Sequence, residues 1–110
     1  MKEYACYMSF DGLDEGAHQA ITELAKAFSL SVQVGARSLE FDYAGTDASS
    51  RVIRFFYQLA KIIKNAEGEL VCQLIDDELN DEFAFYQIAS GKLLYQPGKI
   101  VRGAKAVVEL

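Results

Sequence analysis

Five carboxylates fall within seven residues at Asp76-Asp77-Glu78-Leu79-Asn80-Asp81-Glu82. Side chains of this type at this density can coordinate a hard cation, or they can steer a cationic protein toward them by long-range attraction. Calcium needs a particular order. Asp76, Glu78 and Asn80 take alternate positions, as at the start of an EF-hand loop. Asp81 stands where that loop needs glycine, however, and Gln87 where it needs a bidentate glutamate. The flanks also read as strands rather than helices. Asp76, Asp77, Glu78, Asp81 and Glu82 are therefore the residues expected to bind a partner, with no metal and no cofactor. The plainer role for the same loop is a solvated turn whose charges keep strand ends from pairing with other molecules.

The remaining reactive side chains are sparse. His18 is the only histidine, and it lies off the apolar stripe of its helix, with only Asp14 one turn before it. Nucleophilic catalysis needs a base held by a third group, and no such spacing is present. Cys6 and Cys72 each sit in an apolar alternating run, where a reduced thiol behaves as a small hydrophobe; with His18 they match no zinc-ligand spacing. Glu40 and Asp42 project from one strand face about 7 Å apart, a pair that does acid–base work only when buried together. No glycine-rich phosphate loop occurs. These residues give no catalytic assignment, and the chain is not expected to be an enzyme.

Aromatic side chains offer a second possibility. Tyr7 and Tyr86 are placed on the less apolar faces of their strands, and aromatics on a sheet can stack bases. Nucleic-acid readers surround such rings with lysine and arginine, and residues 1–10 and 69–89 hold only Lys2. The basic sets Arg51, Arg54, Lys61, Lys64 and Lys99, Arg102, Lys105 read as solubilising surface. Neither nucleic acid nor membrane is expected as a partner.

The elements that hold these residues follow from periodicity. Tyr4, Cys6, Met8 and Phe10 alternate as a strand, ended by Asp11-Gly12. Asp11 or Asp14 can cap a helix whose apolar positions are Leu13, Ala17, Ile21, Leu24 and Phe28. Leu30, Val32, Val34 and then Leu39, Phe41, Tyr43 form a hairpin around Gly35 to Ser38. Thr46 or Asp47 is the expected cap of a second helix, with Val52, Phe55, Phe56, Leu59, Ile62, Ile63 and Ala66 on its apolar side. Glu69 to Ile75 is apolar on both faces, which predicts a central strand. Phe83 to Ala89 and Lys92 to Gln96 make a hairpin about Ser90-Gly91, broken at Pro97-Gly98. Ile100-Val101 and Ala106 to Val108 read as edge strands or an irregular tail.

This order predicts one α+β domain over residues 1–110: an antiparallel sheet with two helices on one face, in the ferredoxin-like β-α-β-β-α-β order, plus a C-terminal hairpin extension. A sheet curled around the second helix is the rival arrangement. Half the chain is apolar, enough for a core, and no run approaches a membrane span or signal peptide, so a cytoplasmic location with reduced thiols is expected. The net charge of −5 is uneven, at −8 over residues 1–82 and +3 over residues 83–110. The leading expectation is a small acidic protein-binding module that docks on and inhibits a basic protein such as a toxin or nuclease, by analogy of charge and size with immunity proteins. The alternative is a small-molecule binding or sensing domain, a homodimer through an exposed strand, with a pocket lined by Tyr7, Tyr43 or Tyr86.

Overall fold

The computed structural model describes residues 1–47, 49–74, 82–98 and 105–110. In chain order the elements are β1 (Lys2–Ser9), α1 (Glu15–Ala27), β2 (Val32–Val34), β3 (Ser38–Gly45), α2 (Arg51–Ile63), β4 (Glu67–Leu74), β5 (Glu82–Ala89), β6 (Lys92–Gly98) and β7 (Ala106–Val107). Among the described residues the strands form one antiparallel sheet in the order β2-β3-β1-β4-β5-β6-β7. The fold is thus α+β with two helices, as expected, but the sheet is larger than a ferredoxin-like one and its order differs. The reason is local. β5 pairs along the border of β4 that a four-stranded sheet would leave open, and β6 and β7 continue outward from it. β4 is central, as predicted, although its outward side in the described residues carries Glu67, Glu69 and Gln73 beside Val71.

Both helices share one core with the inward side chains of the sheet. Tyr4, Cys6 and Met8 of β1 are buried together with Leu39 and Phe41 of β3, Leu70 and Cys72 of β4, Ile88 of β5 and Leu93 of β6. Ile21 and Ala25 of α1 and Val52, Phe55, Phe56, Leu59 and Ala60 of α2 close over them. Phe55 and Phe56 meet edge to face with centroids 5.3 Å apart, a favoured aromatic geometry. None of the described helices is long and apolar enough to cross a membrane.

The helix starts differ in kind. Asp14 caps α1 in the ordinary way, accepting from Ala17 N at 2.7 Å. At α2 the cap position falls on Ser50, not Thr46 or Asp47, and the Ser50 side chain makes no capping bond. Asp47 does that work from further back. Its Oδ1 accepts from Arg51 N at 2.8 Å and Val52 N at 3.4 Å, while the residue itself is 3% exposed. Expecting Thr46 or Asp47 at the cap position was wrong because the backbone turns left-handed at both Asp47 and Ser50, adding a loop before the helix begins.

The C-terminal end of α2 is tied to the β5–β6 turn. Gly91 N donates to Lys64 O at 2.8 Å, Ser90 N to Asn65 Oδ1 at 2.9 Å, and Ala66 N to Ile88 O at 3.2 Å. Ser90 and Gly91 both have positive φ, the backbone that a two-residue hairpin turn requires. Pro97 does not break β6. It pairs with Ala84, and β7 reaches only Leu94 and Tyr95, so no ladder bond from a β7 neighbour is forfeited at Pro97. Ala106–Val107 is the short edge strand; Ile100-Val101 lies outside the described residues.

Candidate functional site

The helices cover one side of the sheet, and strand alternation sends every second side chain to the other. Register decides which. Tyr4 of β1 faces Tyr43 of β3 and Cys72 of β4, all inward. The outward positions are then Glu3, Ala5 and Tyr7 on β1, Glu40, Asp42 and Ala44 on β3, and Glu67, Glu69, Val71 and Gln73 on β4. These three strands place five carboxylates on the outward face and no lysine or arginine. Glu3, Glu40, Asp42 and Glu67 are exposed, and Glu69 is half-buried. Tyr7, 58% exposed, stands among them between Glu40 and Glu69.

The same face turns apolar on the next strand. Val71 pairs with Phe85 and Gln73 with Phe83, which carries both phenyl rings outward. The rings stack along β5 with centroids 6.3 Å apart and planes 14° from parallel. Glu3, Ala5, Asp42, Ala44, Val71 and Phe83 border a shallow trough of about 440 Å³. Its floor is low because alanines stand at two of its corners, and its walls are carboxylate on one side and phenyl on the other.

Of the five residues expected to bind a partner, the structure describes Glu82. Asp76, Asp77, Glu78 and Asp81 lie outside the described residues. Glu82 opens β5, exposed, opposite Leu74. Glu40 and Asp42 sit on the wet side of their strand, as their alternation predicted. Tyr7, Tyr43 and Tyr86 are not brought together: Tyr43 and Tyr86 pack toward the helices, and Tyr7 points the opposite way. Tyr86 was expected on the more polar face of its strand. It faces inward because it registers with Leu70 of β4, and Phe83 and Phe85 are turned out instead. The alternation of β5 alone could not choose, since aromatics occupy both of its faces.

The other candidate groups have structural surroundings. His18 is exposed at the sheet rim, with Nε2 3.3 Å from Val34 O. Arg51 reaches Tyr43 Oη at 3.3 Å and Phe28 O at 3.4 Å, Arg54 lies over the Phe28 ring, and Lys61 sits 4.6 Å from the Tyr57 centroid. Much of the basic row on α2 is thus spread over the protein's own rings, on the side away from the acidic face. Burial, with a smaller push from the Asp42 carboxylate, raises the Cys6 thiol to about 12. Burial raises Cys72 too, more than its bond to Tyr4 and nearby Lys2 lower it. Both thiols are free and buried, which makes them poor nucleophiles. Among the described residues no group of three or more His, Cys, Asp or Glu is placed to hold a metal ion.

A second depression lies at the end of the sheet beside the start of α2. Lys2, Tyr4, Ser50, Cys72, Tyr86 and Tyr95 line much of its volume of about 340 Å³, and the Tyr86 and Tyr95 rings meet at 5.4 Å. Burial, followed by the neighbouring Cys72 and Tyr95, pushes the Tyr86 phenol up to about 12. Compared with known protein families, curated proteins and solved structures, the chain matches none.

Proposed function

We propose that this protein is a binding module that docks on a basic partner protein, in the manner of a small acidic inhibitor, through the open face of its sheet. The reading treats the first six elements as a ferredoxin-like unit and β5 to β7 as its extension. The observation that carries it is the segregation of charge: outward positions of β1, β3 and β4 hold five carboxylates and no cation. A single-sign face of this kind raises encounter rates with an oppositely charged surface and repels nucleic acid and anionic lipid. Exposed Tyr7 at its centre is the residue type that anchors interfaces, since an aromatic ring brings large contact area at little cost in conformational freedom. The sequence run from Asp76 to Glu82 adds five more carboxylates to the chain, and with them to its long-range attraction for a cationic partner.

The test compares association kinetics of the native chain with a Glu3→Gln/Glu40→Gln/Asp42→Asn variant, against basic proteins recovered on the immobilised chain at low salt. The expected result is a slower association, by about tenfold or more at low ionic strength, and a flatter salt dependence. Equal rates and equal salt slopes would remove the face from the reading. A second reading is favoured by the tyrosine-lined depression beside α2, whose neutral phenols suit a small polar aromatic molecule. Tyr86→Phe and Tyr95→Phe would weaken such a ligand and leave protein docking unchanged.

A further inference from the structure

Resting on the docking reading, we infer that the element the partner presents to this face is an amphipathic cationic helix laid along the strands. The face changes character from lane to lane. The lane of β3 and β1 presents Glu40, Asp42 and Glu3, and the lane of β5 presents Phe83 and Phe85; β4 between them presents Val71 beside the phenyl rings and Glu69 and Glu67 farther along. One row of paired residues, Asp42, Ala5, Val71 and Phe85, crosses from carboxylate to phenyl over four neighbouring strands. At about 4.8 Å per strand this crossing spans roughly 14 Å. A helix with its side chains is about 10 to 12 Å across, so one helix touches both lanes at once. Its apolar stripe would rest on Val71 and the phenyl pair, and lysines or arginines on its flank would reach the carboxylates.

Length agrees with width. β1, β3, β4 and β5 are eight residues each, close to 26 Å of strand, which matches a helix of about 17 residues. The small side chains Ala5 and Ala44 leave the trough into which a flanking basic side chain fits. Competing occupants fit less well. An added strand needs a long free border, and among the described residues the edge strands β2 and β7 are three and two residues long. A second copy of the chain would bring carboxylate onto carboxylate. An entirely polar basic segment would leave the phenyl lane in water.

The experiment uses the full chain, isotopically labelled, and two synthetic peptides of about 18 residues built from lysine and leucine. One places leucine at i, i+3, i+4 and i+7, and the other has the same composition scrambled. The amphipathic peptide is expected to shift the amide resonances of Ala5, Tyr7, Val71 and Phe85, to bind at least about tenfold tighter than the scrambled one, and to lose that advantage against Phe85→Gln. Equal binding of both peptides on the same face leaves the docking reading standing and overturns the helix. Absence of shifts on the face with either peptide overturns both. Shifts confined to the helix side, or sedimentation as a dimer that buries the face, also overturns the inference.

Discussion

Asp47 and Tyr4 join two parts of the molecule through one buried carboxylate. Oδ1 accepts from the first amides of α2, and Oδ2 accepts from Tyr4 Oη at 3.1 Å in the core of the sheet. The start of the helix is thereby set against β1. Tyr4→Phe is expected to cost about 1–2 kcal/mol and Asp47→Ala about 2–4 kcal/mol, since the second strands both the amides and the phenol. The double variant should lose less than the sum, because each substitution removes the other's partner. Urea unfolding of the three variants checks this, and strict additivity would mean that the carboxylate serves the helix alone. Only the link of Asp47 to the helix start was visible in the chain. Thr46-Asp47 reads as a helix start, yet nothing in the spelling tells that the carboxylate turns inward to meet a tyrosine 43 residues earlier.

Gly68 carries a comparable weight at the level of a strand. It sits in β4 with φ of 98°, and a Cβ there would run into the carbonyl oxygen of Tyr7 on β1. Gly68→Ala is expected to lower stability by at least about 1–3 kcal/mol, from the left-handed backbone and the clash together. Thermal unfolding measures it, and an unchanged midpoint would show that β1 and β4 can separate locally at no penalty. The sequence reading starts this strand at Glu69, so the demand on the residue before it was not legible from alternation. The strands with one apolar face, β1 and β3, were legible to the residue: Glu40 and Asp42 were expected on the wet side and are there. β5 was not, because Phe83, Phe85 and Tyr86 make both faces apolar and only pairing with β4 decides between them. That ambiguity also hid half of the candidate face. The helices were legible because Val52, Phe55, Phe56 and Leu59 recur with a single period.

Across the whole molecule, buried thiols and phenols set a limit on the alkaline side. Cys6 rises from 9.0 to about 12 and Tyr86 from 10.0 to about 12, each chiefly through burial, and Cys72 and Tyr4 rise in the same sense. A folded state that holds these protons more tightly than the unfolded chain keeps the full benefit below about pH 9 and loses it as pH climbs toward 12. The urea midpoint should therefore fall steadily above about pH 9, and less steeply for Cys6→Ala. A midpoint flat to about pH 11 would contradict the burial of these groups. Sign of charge was legible at this scale from composition, while its arrangement was not: the sum of −5 conceals an anionic sheet face backed by helices whose arginines lie on aromatic rings. The three hydrogen bonds from Ser90, Gly91 and Ala66 have a dynamic meaning as well. They latch the tip of the last long hairpin to the residues that close the C-terminal end of α2, so neither can fray without releasing the other. Solvent exchange at those amides should thus report a single opening event rather than two.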